Sequence, residues 1–143
     1  PLQALARRSL DPATALANGR PTVVEFYADW CEACRSMAPA MLALENRHQE
    51  TLDVVLLNVD NPRWQPQLEA YGVDGIPHLE LFDAAGHSVG RSIGARSSGE
   101  LAALTEALLA NEPLPSLAGV GAVSALQELP DAGGASTGPR SHG

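Results

Sequence analysis

A chain of 143 residues has room for one domain of ordinary size with a real core. The 17 acidic residues outnumber 9 basic ones, all of them Arg, and leave a net charge of −8. Acidity of this size argues against a nucleic-acid surface, which needs clustered cations, and no apolar run reaches the roughly 18 residues of a membrane span.

The chain begins at Pro1 rather than Met, so an upstream signal or anchor stays open. Arg7–Arg8 is the one basic cluster. It reads either as a juxtamembrane mark or, preferably, as a solvated helix face. Asp11–Pro12 starts a short helix, with Asp at the N-cap and Pro at the first helical position, and Asn18–Gly19 closes it. Thr22–Tyr27 is β-branched and aromatic, which predicts a buried strand. From Cys31 to Gln49 the residues are mostly good helix formers, and Pro39 predicts a kink among them. Asp53–Asn58 is a second central strand, and Asn61–Pro62 opens a turn and a short helix through Tyr71. His78–Phe82 and Ser88–Ile93, joined by Asp83–Ala84–Ala85–Gly86, read as an antiparallel hairpin. Ser97 and Glu100 form a capping box ahead of an amphipathic helix with Leu101, Leu104 and Leu108 on one face.

The early alternation of strand and helix implies parallel pairing, and the hairpin adds an antiparallel edge. The expectation is a small α/β domain over residues 1–110. After Asn111 the composition turns to Pro, Gly, Ala and Ser. Such a segment buries too little apolar surface to offset its ordering entropy, so 111–143 is expected to be a mostly disordered tail. An extended strip along the domain surface stays open for Leu117 to Leu126.

Both cysteines fall in Cys31–Glu32–Ala33–Cys34. That excludes a multi-disulfide scaffold and leaves a redox pair or half of a zinc site. Zinc needs two more ligands, and the four histidines are scattered at 48, 78, 87 and 142, so no metal is expected. Cys31 lies where a strand ends and a helix begins; unpaired amides and the helix dipole favour its thiolate. Cys34, one turn on, faces inward, so Cys31 is the attacking sulfur and Cys34 the resolving one. The redox-active disulfide itself is the expected cofactor, with no other. Asp29 and Glu32 are either two carboxylates facing the Cys31 sulfur, raising its pKa and favouring a reducing couple, or solvated and screened acids that leave the poise to the fold; Arg35 is expected to point one turn down the helix. Glu25, among Val23, Val24 and Phe26, is either a buried proton shuttle to Cys34 with a raised pKa or an acid satisfied by solvent or a neighbour. In Gly75–Ile76–Pro77–His78 the proline suits a cis bond or an ordinary loop.

Val24–Glu25–Phe26–Tyr27–Ala28–Asp29–Trp30–Cys31–Glu32–Ala33–Cys34, followed by Met37–Ala38–Pro39, resembles the active-site run of the thioredoxin family. Leu57–Asn58–Val59–Asp60, Tyr71–Gly72–Val73, Gly75–Ile76–Pro77 and Ile93–Gly94 follow in the family's order, over about residues 12–110. The resemblance implies the thioredoxin fold, a central mixed sheet flanked by helices. It implies that Pro77 is cis and faces the cysteines, that Ile76 backbone and Trp30 help hold substrate, and that Glu25 takes the buried-acid position. Three departures stand out: Glu–Ala between the cysteines, Leu56 where many relatives keep a lysine, and His78 where Thr is usual.

Those departures, with Asn61–Pro62–Arg63–Trp64 and the ending Pro139–Arg140–Ser141–His142–Gly143, are similar to a thylakoid thioredoxin-like subgroup of cyanobacteria and chloroplasts. That resemblance implies an N-terminal membrane anchor upstream of Pro1 and a catalytic domain on the lumen or periplasmic side. It implies a monomer that reduces disulfide-containing target proteins, apocytochromes of cytochrome b6f assembly included. Electrons would come from a membrane thiol-reducing transporter. The competing expectations are a general soluble, cytoplasmic thioredoxin fed by a reductase, and a redox-inert binding or chaperone module on the same fold.

Overall fold

The runs Thr-Val-Val-Glu-Phe-Tyr and Asp-Val-Val-Leu-Leu-Asn are too apolar for a half-solvated sheet, so both of their faces must be covered. A computed structural model describes residues 1–117 and 121–126 and shows how this is done. The chain runs through α1 (Leu2–Arg8), α2 (Pro12–Leu16), β1 (Thr22–Tyr27), α3 (Glu32–Arg47) and β2 (Asp53–Asn58). After a 3-10 turn at Pro62–Trp64 come α4 (Gln65–Ala70), β3 (Gly75–Ile76), β4 (His78–Phe82), β5 (Ser88–Ile93), α5 (Ser98–Leu109) and β6 (Ser124–Ala125).

Four strands form one sheet in the order β2-β1-β4-β5. β1 and β2 are parallel, whereas β4 runs antiparallel to both β1 and β5. Register assigns the faces: Glu25 lies opposite Leu56 and Leu79, and Phe26 opposite Leu57 and His78. Side chains alternate along a strand, so Val23, Glu25, Leu79 and Leu81 share one face. Val23, Leu79 and Leu81 pack there against Met41 and Leu44 of α3 and Leu101 and Leu104 of α5. The other face carries Phe26, His78 and Phe82 beneath Tyr71, with Phe26–His78 and Tyr71–Phe82 ring centroids 5.4 and 5.6 Å apart, edge to face.

Caps follow the local chemistry. Asp11 accepts from Ala13 N at the start of α2, and Ser97 and Glu100 complete the capping box of α5. Pro39 lies inside α3, which continues to Arg47.

Helix α1 was not foreseen beyond the solvated Arg7–Arg8 face. Leu2 and Leu5 are buried, each such side chain contributing about 1.5–3 kcal/mol. Ser9, just beyond the helix, accepts from Leu56 N at 2.8 Å, occupying a donor on the outer edge of β2.

Beyond α5, Asn111 takes a left-handed φ of 56° and the chain turns back over β5. Leu114 lies against Gly90, and Leu117 and Leu126 pack on the core. Residues 121–126 run past Ile93–Ala95 and then pair with β3. The expectation of a mostly disordered 111–143 does not describe these residues; 121–126 form the extended strip. A backbone ladder and three leucines supply what the rest of the composition lacks, since ladder bonds need no particular side chains. Residues 118–120 and 127–143, over which the tail expectation also runs, lie outside the described residues.

Candidate active site

Strand β1 ends at Tyr27, and Ala28–Asp29–Trp30 carries the chain over the sheet's end into α3. Cys31 is the N-cap of that 16-residue helix, in extended backbone conformation, and its Sγ accepts from Cys34 N at 3.1 Å. The sulfur thus does the work of an Asn or Ser cap at the positive end of the helix dipole. Cys34 stands one turn in, with its Cα 5.2 Å from that of Cys31, and the two are joined as a disulfide. The structure is therefore the oxidised state of the pair. Both residues are fully buried.

Three loops converge on this helix start. The Ile76–Pro77 peptide is cis, and the Ile76 carbonyl oxygen lies 3.8 Å from Cys31 Sγ. Trp30 leaves its indole 41% exposed beside the motif and donates from Nε1 to Asp60 Oδ2 at 2.8 Å. Asp29 and Glu32 are exposed. Arg35 does not point down the helix as expected: its Nη1 donates to the Asp29 carbonyl at 2.6 Å. Its long side chain curls back because that carbonyl, at the end of the loop, is an acceptor within its reach. The cation therefore lies against the loop that precedes Cys31.

Glu25 points into the sheet face covered by α3 and α5. It is fully buried, and neither carboxylate oxygen has a hydrogen-bond partner. Burial without a counter-charge pushes its pKa from 4.5 up to about 8. Among the described residues no neighbour satisfies it. The register explains the lack of a partner, because Leu56 and Leu79 flank it on the adjacent strands.

Sequence reasoning gave no role to Asp60 or Glu80. Asp60 fixes the exposed indole and is recognisable only once β2 and the motif loop are adjacent. Glu80 is a second fully buried acid, on the opposite face from Glu25. It accepts from His78 Nε2 at 2.7 Å, Ser88 Oγ at 2.6 Å and Arg91 Nη2 at 3.0 Å. Burial pushes its pKa up, but the His78 and Ser88 hydrogen bonds and the Arg91 charge outweigh that and hold it below the ordinary carboxylate value. His78, the departure beside the cis-proline, is thereby occupied in a buried network. The available signal was an acid inside Leu79–Glu80–Leu81, the same pattern that singled out Glu25.

Among the described residues there is no cluster of three or more His, Cys, Asp or Glu able to hold a metal. Nor is any helix among them long and apolar enough to cross a membrane.

The family described as Thioredoxin matches residues 10–107. The chain is 43% identical over 142 residues to a thiol:disulfide interchange protein TxlA homolog of Synechocystis, covering 99% of this chain and 78% of the relative. Identity to the TxlA protein of Synechococcus elongatus is 39% over 142 residues, covering 99% and 74%. Identity to the chloroplastic thioredoxin-like protein HCF164 of Arabidopsis thaliana is 45% over 93 residues, covering 65% of this chain and only 36% of that protein. The chain belongs to the thioredoxin family and is a thiol–disulfide oxidoreductase with Cys31–Cys34 as its dithiol pair.

Proposed function

We propose that this oxidoreductase works as a reductase of protein disulfides on the lumen side of a photosynthetic membrane. In the reduced enzyme the Cys31 thiolate attacks one sulfur of a target disulfide, and the other target sulfur leaves as a thiolate. Cys34 then attacks Cys31 in the mixed disulfide and releases the second target thiol. The target gains two electrons from the dithiol and takes its two protons from Glu25 and solvent, and the enzyme is left as the Cys31–Cys34 disulfide. Glu25 is the proton acceptor for Cys34 during that second step, its raised pKa of about 8 suiting transfer near neutral pH. The Ile76 backbone and Pro77 hold the target chain beside the sulfur, and the Trp30 indole offers it an apolar platform.

One observation carries this reading: the Cys31–Cys34 disulfide caps the first turn of α3 with the Ile76 carbonyl 3.8 Å from its outer sulfur. The targets proposed are disulfide-bearing proteins, apocytochromes among them, and the electron donor is a membrane thiol-reducing transporter. The TxlA and HCF164 resemblances support the photosynthetic membrane setting, with the chain held there by an anchor upstream of Pro1. The test is equilibration of the Cys31–Cys34 couple against glutathione buffers. A potential nearer about −270 mV than about −120 mV is expected; a value near the latter overturns the reductase assignment.

A further inference from the structure

The backbone edge of β3 is the surface an extended target would need, and it is already taken. Strand β6 pairs antiparallel with it, Gly75 opposite Ala125 and Ile76 opposite Ser124. Leu126 N donates to Asp74 O at 3.0 Å. Hydrogen-bonded pairs alternate along an antiparallel ladder, so the next such pair is Ile76–Ser124, and Ser124 takes both the N–H and the C=O of Ile76. The same carbonyl lies against Cys31 Sγ. Upstream, Ala95 N donates to Ala122 O at 2.9 Å and Gly121 N donates to Ile93 O at 3.2 Å.

A second feature shows that the approach is built for. Gly94 and Gly121 meet backbone to backbone: a Cβ on Gly94 would come within 2.5–2.7 Å of Gly121 O, C and N. A Cβ on Gly121 would strike the Ala95 carbonyl oxygen, with Ala95 N and C both 3.0 Å away. Only glycine at both positions lets the strip enter this close. The strip reads Gly-Ala-Val-Ser-Ala-Leu, uncharged, and the chain's only cysteines are the active pair. It therefore presents a strand to the site with no sulfur that Cys31 can attack.

We propose that residues 121–126 are an unreactive internal competitor for the target-binding edge. An extended target segment gains access by displacing this strip and adding itself to β3 as the replacement strand. The proposal rests on the reductase reading in one respect, namely that targets dock at Ile76. Tethering keeps the strip at high effective concentration without needing strong contacts. An edge free only about one-tenth of the time raises the apparent KM of a docking target about tenfold and leaves kcat alone. Small disulfides that need no edge contact escape the penalty, so the device selects for targets with an extended segment around the disulfide.

The test uses the full chain and two variants outside the catalytic groups. Gly121→Val forces a side chain into Ala95, and Ser124→Pro removes the donor to Ile76 O. Amide hydrogen exchange at Ala95 and Leu126 reports detachment, and both amides should be protected in the wild type and released in the variants. With insulin as substrate, KM should fall about three- to tenfold at unchanged kcat; with 2-hydroxyethyl disulfide neither constant should move. Iodoacetamide should alkylate Cys31 of the reduced variants faster than that of the reduced wild type. Unprotected amides in the wild type, or an insulin KM that stays the same or rises when the strip is released, overturns the proposal. Absence of insulin turnover in all three proteins would instead overturn the reductase reading, while exchange and alkylation still decide the strip.

Discussion

Glu25→Gln isolates a strongly perturbed carboxyl. The carboxyl is fully buried with no hydrogen-bond partner on either oxygen, and its pKa rises from 4.5 to about 8. A folded state that keeps a proton the unfolded chain releases loses stability as pH rises between those two values. In the middle of that window the slope is one proton, about 1.4 kcal/mol per pH unit. From pH 5 to pH 8 the wild type should therefore lose roughly 3–4 kcal/mol from this group alone. Gln is nearly isosteric and cannot ionise, so the variant should lose this slope while every other titration remains common to both proteins. Urea unfolding of the oxidised proteins at pH 5, 6, 7 and 8 gives both curves, and their difference is the quantity to read. Near pH 5 the two should differ little; by pH 8 the variant should be the more stable. Parallel curves across the window would refute the reasoning, because they would mean that Glu25 reaches water or a partner when charged.

Cys31→Ser should abolish disulfide reduction, whereas Cys34→Ser should accumulate a mixed disulfide with its target, visible by mass on non-reducing gels; trapping by Cys31→Ser would reverse the sulfur assignment. Glu32→Gln should move the Cys31–Cys34 potential by less than about 20 mV, because an exposed charge is worth under about 1 kcal/mol. A larger shift would restore the carboxylates as the main control on poise. Glu80→Ala should cost about 3–5 kcal/mol in urea unfolding, since it strips a partner from His78, Ser88 and Arg91 together.

Strands β1, β2, β4 and β5 were legible because their residues are β-branched or apolar at fixed spacing, and turn residues bound them. The capping box at Ser97 was legible for a similarly local reason: its donor and acceptor lie three residues apart. Helix α1 was not, because its two buried leucines gain their meaning only from α3 and β2, which the sequence does not place beside them. The strip at 121–126 was legible only as an open alternative, an extended run between Leu117 and Leu126, because its composition argued for disorder. Gly, Ala and Ser predict poor burial, but a strand that lives on backbone hydrogen bonds asks little of its side chains. At the site, Cys31 and Cys34 announce themselves by spacing. Arg35 shows the opposite case, where helical geometry predicts a direction and one available carbonyl, that of Asp29, overrides it.

Glu25 and Glu80 carry the same sequence signature, an acid among apolar strand residues, yet they must act oppositely on stability. β4 gives Glu80 neighbours that donate: His78 two residues away on the same face, and Ser88 and Arg91 from β5. Its lowered pKa supplies stability that is present above 4.5 and lost as pH falls through the folded value. Glu25, flanked by Leu56 and Leu79, supplies stability below 4.5 that is lost as pH rises toward 8. Between them the two groups contribute most around the ordinary carboxylate value, about 4.5, and less on either side. In Glu25→Gln the Glu25 share of the falling branch disappears and the acid branch remains, so the maximum should move to higher pH. A maximum at the same pH in both proteins would mean that the Glu25 proton leaves in the folded state without cost. Such an acid would be ionised well below neutral pH and too weak a base to take the proton of Cys34.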